Sequence, residues 1–562
     1  FLFSLFAVIA MSLLLSWLLA VTVTPLFGHY LLKAGKEDAT DPYAGRTYRA
    51  YRGLLVTTLR LRWLTMAVLV ALTGASLWAF GMVRQGFFPD SNTPIFLVDF
   101  QLPQGTDIRA TDAAMAPIDR MILETEGVVS VARFVGQGAS RFMLTYQGER
   151  TNPGYGQFII RAESLEAITR MESDLARRIA AAHPDAQVRV QRLVFGPGAE
   201  ARIAARFSGP DADVLRALAD EAIARLEEDG RITDLRHDWQ ARELVAVPRL
   251  EEERMRVAGV ARTDIAQALL FATSGVRAGE YREGDTIIPI LARAPEAERG
   301  DLARMQDRLV WSPAEQAHVP LSQLMTRLET VQEDTLIQRR NRVRTLTVQA
   351  NPGPGETAAD AFARIRGGIE AIPLPPGYAL EWGGEFENSQ RAQTALGAQL
   401  PFSFIPMLVI SILLFGRLRQ PLIVWAVVPM AICGVTLGLL ATGMPFTFTA
   451  LLGLLSLSGM LMKNAIVLVD EIDTRLAEGE ALPEAITEGA VSRLRPVFLA
   501  AATTILGMVP LLGDAFFSSM AVTIMAGLAF ASLLTLFAVP ALYAILFVAP
   551  APGRAPATAT AT

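Results

Sequence analysis

Along the chain, apolar residues gather into seven runs long enough to cross a bilayer as helices: 3–27, 62–82, 397–415, 421–441, 446–469, 497–513 and 519–547. The third and sixth are short for this role. Pro406 and Pro429 fall inside runs, which a membrane helix tolerates where neighbours satisfy the freed carbonyls. Gly434 and Gly438, one turn apart in the fourth run, form a small-residue face suited to close helix packing.

The polar connections set the orientation. The first carries Lys33, Lys36, Arg46, Arg49, Arg52, Arg60 and Arg62, and Arg417 and Arg419 fill the turn after the third run. An excess of Lys and Arg marks cytoplasmic loops, so both lie inside, together with Arg475, Arg493 and Arg495. The turns at 442–445 and 513–518 hold neither residue and fall outside. Residues 86–391 then form a domain of about 300 residues on the outer side, between the second and third spans.

Inside that domain the period changes. Residues 96–100 predict a strand, 108–124 an amphipathic helix, 128–134 and 141–146 strands, 165–182 a helix and 186–194 a strand. A second cycle starts at 201 and a third lies near the end of the domain. Val98-Asp99-Phe100-Gln101-Leu102-Pro103-Gln104-Gly105-Thr106 ahead of one helix is echoed by Thr347-Val348-Gln349-Ala350-Asn351-Pro352-Gly353-Pro354-Gly355-Glu356-Thr357 ahead of another. Both read as strand, Pro/Gly turn, helix. Residues 240–335 break the cycle with alternating strands such as 286–291 and a Gly/Tyr hairpin at 274–284, and read as an insertion with its own docking role. The Ala/Pro/Thr tail at 549–562 predicts disorder.

Composition narrows the class. With 51% hydrophobic residues, 19% charged and a mean hydropathy of +0.33, the chain reads as an integral membrane protein. Four histidines (His29, His183, His237 and His318) and the single Cys433 exclude a disulfide framework and the spaced Cys/His metal motifs. A net charge of -5 offers no basic field for nucleic acid. The chain opens at Phe1 inside an apolar run, without a signal-peptide pattern, and is expected to be the back part of a longer one. No nucleophile elbow, phosphate loop or dinucleotide fingerprint occurs, and Gly196-Pro197-Gly198 and Gly353-Pro354-Gly355 read as turns. Acidic runs such as Glu227-Glu228-Asp229 and Glu251-Glu252-Glu253 read as solvated helix faces or ends, so nothing points to an enzyme.

The polar residues inside the apolar runs remain. Lys463 is the one charge in the fifth run; counting back from Asp470 at ~1.5 Å per residue puts its α-carbon about 10 Å inside the hydrocarbon edge. It either snorkels to the interface or lies on an ion pathway. Asn464 beside it favours the pathway, because two adjacent polar side chains in an apolar helix require a polar partner on a neighbouring helix. Arg493 and Arg495 open the sixth run, with Thr503 and Thr504 deeper in. Arg493 and Thr504 are about three helical turns apart and share a face. Ordinary interfacial anchoring is the other reading of Arg493. Thr504 has its own alternative, a hydroxyl bonded back to the Ala500 carbonyl. In the outer domain, strand alternation sets Phe142, Leu144 and Tyr146 on one face with Phe134 across a Gly loop; they line either a cleft for amphiphilic ligands or a packed core.

Gly459 to Val469 with its Lys-Asn-Ala centre, Arg493-Leu494-Arg495-Pro496, Gly507-Met508-Val509-Pro510-Leu511 and Phe88-Pro89-Asp90 together resemble the C-terminal half of resistance-nodulation-division (RND) efflux pumps, over essentially the whole chain. The resemblance implies a helical transmembrane bundle joined to α+β periplasmic porter subdomains, ferredoxin-like βαβ repeats with an inserted docking subdomain. It implies spans at 1–34 and 62–85 around a cytoplasmic loop at 35–61. Porter subdomains follow at 86–200 and at 201–239 with 336–395, a docking subdomain at 240–335, and a five-helix bundle at 396–548 ahead of the tail at 549–562. It further implies a homotrimeric inner-membrane proton antiporter, with no cofactor beyond the proton gradient, working with its own N-terminal half, a periplasmic adaptor protein and an outer-membrane channel. Lys463 matches the relay lysine that pairs with aspartates of the first half, and Arg493 the arginine near the cytoplasmic side.

Two departures stand out. The threonine that the family often has seven residues after the arginine is Ala500 here, which leaves Thr504, on nearly the same face, as its substitute. The Gly/Phe-rich loop of the best-known members is shorter, at Gly136-Gln137-Gly138-Ala139-Ser140. No Met or His cluster occurs in the porter region, which argues against the heavy-metal branch and for amphiphilic or hydrophobic substrates. A non-transporting receptor or protein-translocation accessory on the same fold is the rival reading.

Overall fold

The computed structural model describes residues 2–31, 43, 45–196, 201–299, 303–353 and 355–547. Lys33, Lys36 and the tail expected to be disordered lie outside them. Among the described residues, seven helices are long and apolar enough to cross a membrane: Ala7–Tyr30, Arg62–Phe80, Glu385–Phe415, Arg419–Thr442, Phe448–Ala477, Leu482–Gly513 and Ser518–Phe547. The third and sixth, short by hydropathy, reach 31 and 32 residues because polar turns extend the helices beyond their apolar runs. Pro429 sits in a short 3-10 stretch, Val428–Met430, since a proline in a helix interior removes one hydrogen bond and crowds the preceding turn.

The chain divides into two compact units. One comprises residues 68–465 and 498–535 and contains both of the larger sheets. The first sheet takes Ile95–Gln101 (β1), Val128–Val135 (β2), Tyr155–Ala162 (β3) and Gln187–Arg192 (β4) in the order β2-β3-β1-β4, all antiparallel. Helices Ile108–Leu123 and Leu165–Ala182 cover one face, each started by a side-chain cap, Asp107 and Ser164. Period-2 alternation sends Phe96, Val98, Phe100, Phe158 and Ile160 toward those helices, where Met115, Ile122 and Leu175 complete a buried core.

The second sheet repeats the plan in two pieces. Ile203–Ser208 (β5) and Ile232–His237 (β6) come first. The interruption follows: Glu243–Leu250 (β7) pairs with Met325–Glu333 (β12), and Val276–Glu283 (β8) with Thr286–Ala292 (β9) and Leu309–Ser312 (β10) with Ala317–Pro320 (β11) make hairpins. The short Arg339–Arg340 (β13) leads into Val343–Pro352 (β14), which pairs with both β5 and β6, and Ala379–Gly384 (β15) adds to β5. The expected α+β fold class is therefore present, with two split βαβ sheets and inserted hairpins.

One strand expectation fails. Residues 141–146 form no strand; they belong to an irregular segment between β2 and β3, and the true partner strand is Tyr155–Ala162. Phe142, Leu144 and Tyr146 alternate as a strand would, but Gly136, Gly138 and Gly148 around them build close loop contacts: a Cβ on Gly138 would sit 2.4 Å from the Glu149 nitrogen.

In the membrane part of this unit, Val435, Leu439, Leu457, Leu461 and Leu528 form a buried cluster. The small-residue face is used as expected. A Cβ on Gly434 would lie 2.4 Å from the Ala526 carbonyl oxygen and one on Gly438 2.3 Å from the Ala526 Cβ, so only glycine lets the fourth and seventh spans approach this closely.

The other unit comprises residues 1–67, 466–497 and 536–562. Its least expected element is a helix, Arg46–Arg60, where hydropathy showed only a polar loop. Tyr51 and Leu55 are buried on one side of it, the Tyr51 hydroxyl donates to the Leu536 carbonyl at 2.8 Å, and the ring meets Phe537 edge-on. Pro540 explains the bond: lacking an N–H, it cannot serve the carbonyl four residues back, which is Leu536. Arg52 pairs with Glu488 at 2.7 Å, and Arg62 donates to the Ala544 carbonyl.

Candidate functional site

In the fifth span, Lys463 and Asn464 point in different directions, as adjacent helical residues must. Asn464 is 6% exposed and its amide approaches Ser532 Oγ of the seventh span at 3.5 Å, a long contact. Lys463 is exposed on this chain and has no hydrogen-bond or ion-pair partner among the described residues. The polar partner anticipated for the pair is thus found for the asparagine. Thr504, half-buried, gives its hydroxyl to the Ala500 carbonyl at 3.0 Å, and exposed Thr503 reaches the same oxygen at 3.0 Å. No hydrogen bond joins Thr504 to Lys463.

Arg493 belongs to the other unit. Its guanidinium pairs with Glu471, which also accepts from Arg475 at 2.9 Å and from the Ser492 hydroxyl at 3.1 Å. Arg475 bonds Glu480 at 3.1 Å, and Tyr543 donates to Asp473. Two arginines against Glu471 and Glu480 leave this cluster near neutral, the arrangement that half-buried charges need. Glu471 is the residue that sequence reasoning missed; its spacing of four from Arg475 was the available signal.

On the second face of the first sheet a polar network is buried. Asp99 on β1 accepts from Tyr155 Oη at 2.7 Å, Gln157 Nε2 at 2.8 Å, Gln191 Nε2 at 2.9 Å and the Arg189 guanidinium. Burial pulls the Arg189 pKa down, but Asp99 beside it outweighs this and holds it above its ordinary value; burial, then the Asp99 charge, pushes the Tyr155 phenol up. With both oxygens of Asp99 satisfied, the network is a clamp rather than an open ligand.

Gln157 links the clamp to the Gly loop: its Oε1 accepts from the Tyr146 hydroxyl at 2.6 Å and the Ala139 N–H at 3.1 Å. Tyr146, 6% exposed, packs with Leu97, Ala139 and Leu193, and Phe134 and Met143 lie against that cluster. Phe142 and Leu144 stay 46% and 65% exposed, with the Phe142 ring 4.6 Å from that of Tyr146. The four cleft candidates therefore split: Tyr146 is core, Phe134 flanks it, and Phe142 and Leu144 are surface.

A cavity of about 350 Å³ lies elsewhere in the same unit, lined by Phe87, Phe362, Phe386, Phe446 and Phe448 with Glu385 at its polar side. Arg202 spans its edge, bonding Asp90 and lying 3.7 Å from Glu385. No group of three or more His, Cys, Asp or Glu side chains placed to hold a metal occurs among the described residues.

The sequence profile of the AcrB/AcrD/AcrF family matches residues 1–547. The nickel and cobalt resistance protein CnrA of Cupriavidus metallidurans is 27% identical over 98% of this chain and 52% of its own. The nickel-cobalt-cadmium resistance protein NccA of Alcaligenes xylosoxydans xylosoxydans is 28% identical over 94% of this chain and 51% of its own. A crystal structure of a heavy metal efflux pump superposes with a TM-score of 0.74 at 21% identity, over 89% of this chain and 51% of the other. The chain spans about half the length of these curated relatives.

Proposed function

This chain belongs to the AcrB/AcrD/AcrF family of RND permeases, and from that premise we propose that it is the C-terminal half of a proton-driven inner-membrane efflux transporter whose cargo is a divalent transition-metal cation. The observation that carries the cargo class is the alignment, along 98% of the chain, with a relative named for nickel and cobalt resistance. The amphiphile expectation leaned on the lack of Met and His clusters, a criterion that counts thioether and imidazole ligands and leaves carboxylates out; zinc also accepts carboxylate oxygens, so acidic side chains can serve a passing cation where Met and His are sparse.

In this reading Lys463 is the charge partner of carboxylates on the N-terminal half, and it is exposed on this chain because that surface meets the other half. Arg493, held by Glu471, is the relay arginine near the cytoplasmic side, and Asn464 and Thr504 are the relay's remaining polar members. The transporter works as a homotrimer with a periplasmic adaptor and an outer-membrane channel. It is not an enzyme and needs no cofactor beyond the proton gradient. A second reading, export of amphiphilic compounds, is favoured by one observation, the cavity lined by five phenylalanines.

Expression of the full-length gene in a host stripped of its own metal pumps tests both. Tolerance to nickel, cobalt, zinc or cadmium that rises with the gene and collapses with a protonophore supports metal export. Extrusion of an amphiphilic dye with no change in metal tolerance selects the second reading. Neither effect leaves the non-transporting rival.

A further inference from the structure

The helix Arg46–Arg60 has two sides. One is docked: Tyr51 and Leu55 are buried and Arg52 is committed to Glu488. At 100° per residue, Arg46, Arg49 and Arg60 fall within about 60° of one another on the opposite side. All three are exposed, and none has a hydrogen-bond or ion-pair partner among the described residues. The helix contains no acidic residue, and its N-cap, Gly45, supplies no side-chain cap to the free N–H groups of the first turn. Arg46 and Arg49 stand in that turn, where the helix dipole opposes a cation, so they are not placed there for the helix's own stability.

Two contacts set its place: Tyr51 reaches Leu536 and Arg62 reaches Ala544, both in the second half of the apolar helix Ser518–Phe547, so this helix lies beside the end of a span and not beyond it. A single residue, Leu61, separates it from the span that opens at Arg62, and Trp63, of a type enriched at membrane interfaces, is 68% exposed there.

We propose that the helix Arg46–Arg60 binds anionic phospholipid headgroups, with Arg46, Arg49 and Arg60 as the phosphate contacts. A basic face without acids, held at headgroup depth, complements the negative leaflet surface, and the uncapped first turn adds backbone donors for phosphate oxygens. The inference rests on the seven helices being membrane spans and is independent of the exported cargo.

The test uses the full-length transporter, reconstituted in phosphatidylcholine with spin-labelled phosphatidylglycerol or spin-labelled phosphatidylcholine as probe. The wild type should prefer the anionic probe, and the preference should fall about fivefold per arginine removed in Arg46→Gln, Arg49→Gln and Arg60→Gln. The triple Lys variant should keep most of it. An unchanged preference in the triple Gln variant overturns the proposal, and if that variant fails to assemble the single variants carry the same decision. Displacement of the probe by millimolar inorganic phosphate as readily as by phosphatidylglycerol would assign the face to a free anion and also overturn it. So would failure of phenylglyoxal to modify these arginines in delipidated protein, which would mean that another protein segment covers them.

Discussion

Lys463 was legible because it is the one charge in an apolar run, and a single charge in hydrocarbon is costly enough to need a reason. Lys463→Ala in the full-length protein is expected to abolish proton-coupled export while trimer assembly persists; near-normal transport would return the residue to snorkelling. Thr503 and Thr504 are harder to separate, since both hydroxyls reach the Ala500 carbonyl. Only Thr504 is half-buried, so Thr504→Val should slow export severalfold and Thr503→Val should not, and the reverse order would refute the assignment. Glu471 was not legible as the partner of Arg493, because an ion pair between two helices leaves no periodic trace. His237, at the end of β6, carries no mark in the sequence pattern that it is buried. Its Nδ1 is buried without a partner, and burial, reinforced by the charge of Arg216, lowers its pKa from 6.5. Below 6.5 the unfolded chain takes up protons that the folded chain resists, so stability is full above that pH and is lost as the pH falls toward the folded value. Thermal unfolding of wild type and His237→Gln on either side of 6.5 should show the larger loss in the wild type.

Elements were legible where one period dominates. The spans and the amphipathic helices Ile108–Leu123 and Leu165–Ala182 follow from apolar runs and 3.6-residue spacing. The segment 141–146 misled because three apolar residues at period 2 also fit a loop folded back on a sheet. Helix Arg46–Arg60 was hidden by its arginines, which lower hydropathy without lowering helix propensity. Its docking makes a sharp prediction. Tyr51→Phe leaves the Leu536 carbonyl unmet and should cost about 1–3 kcal/mol in unfolding stability, because a buried orphan acceptor carries its desolvation penalty. In a Pro540→Ala background the helix can supply its own N–H, so the same substitution should cost far less. Equal costs in both backgrounds would show that the proline is not why the tyrosine is there. At the fourth span, Gly434→Ala must push against backbone and should lower the unfolding temperature, whereas Gly459→Ala, with open space around it, should not.

The whole molecule alternates between apolar helices and a large polar domain, and that contrast made the class readable before any contact was known. Orientation is checked by single cysteines in a Cys433→Ala background. Ser140→Cys and Asp285→Cys, both exposed, should react with an impermeant thiol reagent from the outer side, and Arg417→Cys only after the membrane is opened. The opposite pattern would invert the topology. The interrupted second sheet also puts the order of synthesis at issue. β5 and β6 do not pair with each other; each pairs with β14, which emerges more than a hundred residues after β6. At ~5–20 residues per second, two strands with open edges wait several seconds for their common partner, while the first sheet already has all of its own. Biogenesis therefore has a vulnerable interval built into the chain's connectivity, and a factor that shields bare strand edges outside the membrane would act on β5 and β6 before anywhere else.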